Sequence, residues 1–454
     1  MALSNNPRHR VGLLCAMYVA QGLPWGFMLN TVVSYITDTD ETVTDTQTGR
    51  LTAMILYPWT FKLIWAPLID SATIRSMGRR RPWIIGAQLM MAVSLLTLIM
   101  MGDISKNIVL LGWMFFLHNC FASLQDVATD ALAVDILPPG EQGRVNGLMW
   151  ASKLLGKGIG TAVGGWLIAH YGFTSAVMAQ FTALIIIMLF PLLLVERPGE
   201  KRLPWTAGQA SHVGGVTSLR SPIAVLRDLF KGFSLRTTGL FVAFGLTAVI
   251  GWGVIEVLTK PLYTRDLEWT AAEYAYWTGA AVFFELAAAV LGGVLADRFG
   301  RRIIIAIGMG GYGLLAIVYA ALPNMWTEYW FSAGYLCINP GFIAIGAVGY
   351  NAMGMKLSWT RASATMFTIY MTLSNVGHVL GNELFGPLRD DWQLTYQQTL
   401  YVGGTFMLVP LTLLFLIRPD DVDRARERYA DDESPADASP AVESAAPTPA
   451  ASDN

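Results

Sequence analysis

The chain has 454 residues, 54% of them hydrophobic and only 14% charged, with a mean hydropathy of +0.45. Soluble domains carry about 25% charged residues, so this composition lies outside the soluble globular range. A net charge of −2 leaves no basic footprint for a nucleic-acid partner. The three cysteines, Cys15, Cys120 and Cys337, each fall in an apolar run and read as small core residues. Their spacing suggests neither a disulfide framework nor a metal site.

Arg8 and Arg10 precede an apolar run from Val11 to Ile36. It is too long for a signal-peptide core and lacks a small-residue cleavage site, so it is expected to be an uncleaved first span. Runs of roughly 20 apolar residues then recur, as a hydrocarbon core of about 30 Å requires. They predict twelve spans, at 11–36, 49–69, 82–101, 107–132, 145–169, 173–195, 237–262, 271–295, 302–321, 325–355, 362–385 and 396–417. With both termini inside, Arg79–Arg81, Arg144, Arg197, Arg227, Arg298, Arg301, Arg302, Arg361 and Arg418 gather on the cytoplasmic side. The outside receives few basic residues and the acidic stretch Asp38, Asp40, Glu41 and Asp45. The expectation is an all-α, multi-pass protein of a bacterial-type inner membrane, organised as residues 1–195, a cytoplasmic connection 196–236, and residues 237–417. Within the connection, Ile223, Leu226, Leu229, Phe230 and Phe233 recur at helical spacing, predicting an amphipathic helix that lies on the membrane or packs on the bundle. The tail, residues 418–454, is rich in Ala, Pro, Ser and acidic residues and reads as disordered.

The two sets of six spans carry matching punctuation. Gly293-Val294-Leu295-Ala296-Asp297-Arg298-Phe299-Gly300-Arg301-Arg302 follows the eighth span; Asp70, a turn, and Gly78-Arg79-Arg80-Arg81 follow the second. Arg144, Gly160 and Gly164 map onto Arg361, Gly377 and Gly381 at one constant offset. The Gly293–Arg302 pattern resembles the loop signature of the major facilitator superfamily, which implies two pseudo-symmetric six-helix bundles rocking about a central cavity. Gln21-Gly22-Leu23-Pro24, Phe61–Asp70, Gln125-Asp126, Asp130-Ala131, Leu137-Pro138-Pro139, Leu226–Phe230 and Ser363-Ala364-Thr365 are similar to the muropeptide permease and acetyl-coenzyme A transporter branch. The chain departs from muropeptide permeases in four places. It has a polar tail where they have two further spans, Gly251 where they have an acidic residue, a full motif after span eight, and Gly143-Arg144 in reversed order. Gly78–Pro82 also resembles the sucrose and glycoside–cation symporters, which keeps sugars among the expected substrates.

Ionisable groups at membrane depth cost at least about 2.5–3.5 kcal/mol each, so each needs a reason. Asn119, Ser123, Asp126 and Asp130 follow a four-three-four spacing that places them on one helix face. Lys62 lies at a depth comparable to Asp126, which predicts a pair with Asp126 or Asp130. Such a pair either locks the half-bundle or opens when substrate or a proton arrives. Lys153 and Lys157 stand one turn apart beside Gly156, Gly160 and Gly164; an aspartate would satisfy one lysine and an anionic substrate group the other. Tyr18, Gln21 and Trp25 share a face and are expected to line the cavity with Lys62, Asn119, Asp126, Lys153 and Lys157. Asp126, Asp130, Glu256, Glu285 and Glu383 are the candidates for proton coupling, Glu285 first. Family resemblance assigns gating to Asp70, Arg79, Arg80, Arg144, Asp297, Arg301, Arg302 and Arg361. His118 and His170 lack ligand spacing, and neither a cofactor nor a metal is expected.

These features predict a secondary transporter, proton-coupled, moving an anionic or sugar-containing metabolite by alternating access as a monomer. A sugar or glycoside–cation symporter and an exporter of the same superfamily are the alternatives. A membrane-bound transferase would need a His/Asp/Ser or metal grouping that the sequence lacks, and intact gating motifs argue against a non-transporting receptor.

Overall fold

A chain that crosses lipid repeatedly must satisfy its backbone hydrogen bonds within each segment, and long apolar runs do so as helices. The structure, a computed structural model, describes residues 2–33, 35–36, 45–71, 76–101, 105–206, 222–269, 271–360 and 362–432. Arg361 and the acidic stretch 38–44 lie outside the described residues. The N-terminal half comprises α1 (Pro7–Gly26), α2 (Asp45–Thr60), α3 (Lys62–Ser71), α4 (Arg81–Ile99), α5 (Ile108–Ile136), α6 (Gln142–Tyr171) and α7 (Phe173–Leu193). A connecting helix, α8 (Pro222–Phe233), follows. The C-terminal half comprises α9 (Arg236–Thr247), α10 (Ile250–Pro261), α11 (Ala271–Phe299), α12 (Arg301–Ala321), α13 (Tyr329–Leu357), α14 (Ser363–Gly386), α15 (Tyr396–Leu408) and α16 (Thr412–Leu416).

The helix pairs α2–α3, α9–α10 and α15–α16 each form one crossing with an interruption, so the two halves contain six crossings apiece. Proline explains the first interruption. Pro58 removes a donor from the helix ladder, and the chain turns at Phe61 before resuming at Lys62. That break presents Lys62 as the first residue of a new helix. Among the described residues, nine helices are long and apolar enough to cross a membrane. The other three crossings are the broken α2–α3, the lysine- and glycine-bearing α6, and the polar α14. These three carry much of the candidate chemistry.

Glycines set how closely the helices approach. A Cβ at Gly160 of α6 would stand 2.0 Å from the Leu23 carbonyl oxygen of α1. At the corresponding Gly377 of α14 it would stand 2.0 Å from the Leu246 carbonyl oxygen of α9. The repeat seen in the sequence is thus one helix-to-helix seam built twice. Gly251 has a related explanation. A Cβ there would lie 2.1 Å from the Gly403 carbonyl oxygen, so this packing leaves no room for a side chain at that position.

One expectation changes at the C-terminal end. Residues Asp420–Asp432, read from composition as part of a disordered tail, form α17, which docks on the C-terminal half. Thr237 Oγ1 donates to Asp421 Oδ2 at 3.0 Å, Lys356 pairs with Asp423 at 3.2 Å, and Val422 is buried. The remaining tail, 433–454, lies outside the described residues. Leu3 and Ser4 at the other terminus donate backbone hydrogen bonds to Val195 and Glu196, so both termini sit on one face, here called the terminal face.

Candidate functional site

The polar face of α5 meets α1, α2 and α3 inside the N-terminal half. Asn119, Ser123, Asp126 and Asp130 are all buried there. Lys62 donates to Asp126 Oδ2, and Lys153 Nζ lies 3.7 Å from Asp126 Oδ1. Asp126 therefore holds both lysines. Asp130 does not pair with Lys62; it accepts from the Tyr18 hydroxyl at 2.6 Å. Trp59 and Trp65 complete the wall, donating to Asn119 Oδ1 at 3.3 Å and to Ser123 Oγ at 2.9 Å.

Tyr18 and Gln21 are not on the cavity surface, as their shared face suggested. Both are buried at the α1–α5 contact, where Gln21 Nε2 donates to Gln125 Oε1 at 2.8 Å and Gln125 in turn reaches Gln88. A polar residue on an amphipathic face turns toward either a cavity or a neighbouring helix, and here the glutamine partner on α5 decided it. Trp25, one turn beyond Gln21, is half-buried and lies against Lys153 and Lys157.

Aromatic faces surround the cations. Lys153 Nζ lies 4.5 Å from the Trp59 ring centre and 5.7 Å from that of Trp25; Lys62 Nζ lies 4.6 Å from Trp59. Lys157 Nζ lies 4.8 Å from Trp25. Such contacts stabilise an ammonium by about 0.5–2 kcal/mol where water is scarce. In the N-terminal half three cations, Lys62, Lys153 and Lys157, accompany two carboxylates, Asp126 and Asp130. Asp126 pairs with Lys62 and Lys153, whereas Lys157 makes no ion pair among the described residues.

The C-terminal wall is acidic. Glu256 Oε2 lies 2.6 Å from His378 Nε2, and the His378 ring stacks on Trp252 with centres 4.0 Å apart. Glu256 is 53% exposed, Glu285 is partly buried, and Glu383 is exposed. His378 meets Glu256 because α10 and α14 cross here.

At the terminal face the halves meet through carboxylates set against helix N-termini. Asp70, at the end of α3, accepts from the Thr365 backbone N–H at 2.9 Å and its hydroxyl at 2.7 Å, in the first turn of α14. Asp297, near the end of α11, accepts from the backbone N–H groups of Gly143 and Arg144 at 2.8 and 2.7 Å, in the first turn of α6. First-turn N–H groups have no partner inside their own helix, and the helix dipole favours an anion there. Arg79 and Arg80 pair inside their own half with Asp70, at 3.1 and 2.8 Å, and with Asp135. Arg144 contributes its backbone rather than its guanidinium, which is 54% exposed. Arg301 crosses to the Pro139 carbonyl and to Gln142 Oε1, while Arg302 donates to the Ile417 carbonyl of its own half.

Sequence reading passed over Glu196 and Glu200. Glu196 accepts from the backbone N–H groups of Arg79, Arg80 and Arg81, and so caps α4 from a distant loop. Burial beside the Glu196 carboxylate pushes Glu200 from 4.5 up to about 7. The folded state therefore binds more protons between those two values. Its stabilising contribution is complete below pH 4.5 and is lost as pH rises through 7. Glu200→Gln is expected to raise unfolding stability at pH 8 by on the order of 1 kcal/mol and to change little at pH 5. Thermal unfolding in detergent at the two pH values checks this.

Residues 13–382 match the sequence pattern of the Major Facilitator Superfamily, and the chain belongs to that family of membrane transporters. It is 26% identical over 427 residues to the anhydromuropeptide permease of Escherichia coli strain K12, covering 90% of this chain and 79% of that one. A putative transporter of Rickettsia prowazekii, named as a first AmpG, is 27% identical over 155 residues, covering 33% of this chain and 34% of its own. Among solved structures, the Escherichia coli fucose:proton symporter superposes with a TM-score of 0.67 at 13% identity, over 90% of this chain and 98% of that one. A bacterial homologue of the iron transporter ferroportin, in an outward-facing state, also gives 0.67 at 13% identity, over 92% and 99%. These likenesses show the fold.

Proposed function

We propose that this transporter moves an anionic, sugar-containing metabolite of the muropeptide kind across a bacterial inner membrane, coupled to protons. The observation that carries the reading is the Lys157 ammonium, seated on Trp25 and without an ion pair among the described residues. An ammonium with no carboxylate bonded to it suits a carboxylate or phosphate of the substrate, and indole faces suit the apolar face of a sugar ring. The 26% identity to a protein named anhydromuropeptide permease supports that substrate class.

In this reading Trp25, Lys153 and Lys157 hold the substrate, with Lys62 and Asn119 behind them, and Tyr18 and Gln21 position α5. Glu285 takes up the proton first, with Glu256 and Glu383 nearer the mouth and Asp126 and Asp130 as relay groups. The basic residues gathered at the terminal face make that face cytoplasmic. The contacts of Asp70 and Asp297 then close the cavity inward and leave it open outward. Residues 1–195 and 237–417 rock as two bodies about the site, joined by 196–236, in a chain that works as a monomer.

Proteoliposomes with an imposed proton gradient test this. Uptake of an anhydromuropeptide is expected to accelerate when the outside is acidified. Lys157→Ala is expected to raise its KM about tenfold or more, a loss of roughly 1.4 kcal/mol, while a neutral amidated analogue changes less than about twofold. Equal effects on both substrates would remove Lys157 as the anion site.

A further inference from the structure

The connecting helix α8 has two faces, and one of them packs on the C-terminal half. Leu229 and Phe233 pack on the C-terminal core, and the Phe233 ring meets Tyr370 of α14 edge-on at 5.7 Å. Gly232 lies against Met366 and Thr360, and its carbonyl accepts from Thr238 Oγ1 at 2.6 Å. Asp228 is buried. The same helix also packs against α3, so it bridges the place where Asp70 of one half grips Thr365 of the other.

The other face is apolar and uncovered. Ile223, Leu226 and Phe230 are 77, 62 and 84% exposed, and Arg227 and Lys231 stand exposed beside them. On α3, Ile64 and Leu68 are exposed on the side opposite buried Lys62, which is the side a membrane crossing turns to lipid. α8 packs against α3, the helix that carries this exposed side. Three side chains make too narrow a patch for a protein interface of the usual ~800 Å² per partner. An apolar edge flanked by two cations is the pattern of a helix lying in a membrane interface, where anionic headgroups attract the cations.

We infer that α8 docks on anionic lipid of the inner leaflet and that this docking holds the terminal-face closure shut. Ile223, Leu226 and Phe230 enter the acyl boundary, and Arg227 and Lys231 bind headgroup phosphates. Because α8 touches α3 and α14 at once, lipid that seats the helix also favours the state in which those two helices meet. The inference rests on reading the terminal face as cytoplasmic, but neither readout below uses a transported substrate. A failed uptake assay therefore leaves it standing, and its own failure leaves the transport reading intact.

The test uses the full chain with Cys15, Cys120 and Cys337 replaced by alanine, in nanodiscs of phosphatidylcholine alone or mixed with phosphatidylglycerol. A nitroxide at Phe230→Cys is expected to collide mainly with oxygen in the anionic discs. In neutral discs, or with Arg227→Glu and Lys231→Glu added, it should turn to a water-soluble nickel chelate. In a second variant, labels at Gly140→Cys and Arg298→Cys report the distance across the closure. The ratio of closed to open molecules is expected to fall by at least about threefold when anionic lipid is withdrawn. A Phe230 label equally open to the chelate in both discs overturns the docking and leaves the face to a protein partner. A closure distance indifferent to lipid charge overturns the coupling.

Discussion

Asp126→Asn is expected to cut uptake by at least about 100-fold and also to lower the thermal stability of the N-terminal half, by about 3–5 kcal/mol. Asp126 is buried and bonded to both Lys62 and Lys153, and its nearest acidic neighbour, Asp130, is already engaged by Tyr18. Removing the carboxylate charge strands two ammonium groups in a dry helix interface, and breaking a buried pair from one side costs far more than the pair is worth. A loss of function in that variant alone would therefore not show whether the pair works or merely locks the bundle. The charge-silent variant Lys62→Met with Asp126→Leu separates these roles. It is expected to recover the part of the stability that stranding Lys62 costs, with Lys153 still buried without its carboxylate. It is also expected to remain transport-dead, because Lys153 and the α5 relay have lost their carboxylate. Uptake restored along with stability would assign the pair to structure. Thermal unfolding and proteoliposome flux on the same preparations decide it.

The second large effect is expected at the terminal face. Asp297→Ala removes two charge-assisted hydrogen bonds to the first turn of α6, which together hold the halves by about 2–4 kcal/mol. That corresponds to a shift of roughly 30- to 1,000-fold in the balance between closed and open terminal faces. Spin-label distances across that face are expected to lengthen from one dominant population to two or to the open one. Asp70→Ala should open the face similarly, but with a stability loss that Asp297→Ala does not show. Asp70 also neutralises Arg80, whose side chain is fully buried with only Asp135 as its other carboxylate. Its loss damages the half-bundle as well as the closure. Matching thermal midpoints for the two variants would mean that Arg80 is satisfied by Asp135 alone.

Much of this site was legible in one dimension because membranes make polar residues conspicuous. The spacing of Asn119, Ser123, Asp126 and Asp130 defined a single face of α5, and all four are buried on it. The depth of Lys62 relative to Asp70 pointed to a partner on α5. The offset linking Gly160 to Gly377 announced a repeated seam, since only glycine permits a backbone oxygen to come so near. Partner choice was less legible. Nothing in the spacing prefers Asp126 over Asp130 for Lys62, because both lie within a turn of the same depth. What decides it is Tyr18, brought from α1 to occupy Asp130.

The closure at the terminal face shows the same limit. The motifs marked Asp70, Asp297 and the arginines as a group, and ion pairs were the natural expectation. Among the described residues the cross-links include carboxylates on the backbone N–H groups of Thr365, Gly143 and Arg144, which no side-chain pattern can mark, beside the Thr365 hydroxyl on Asp70 and Arg301 on the Pro139 carbonyl.

From its sequence alone this protein was determined to be a many-helix membrane transporter in two related halves, because hydropathy, charge asymmetry and an internal repeat are properties of the chain itself. Tertiary structure alone decided which aspartate holds the lysines, that Tyr18 and Gln21 face a neighbouring helix, and that Gly251 leaves no room for an acidic side chain. It also decided that residues 420–432 fold as α17. The physical reason is common to all four. Each depends on which surfaces meet when helices pack, and those meetings join residues far apart in the chain through contacts a few ångströms long.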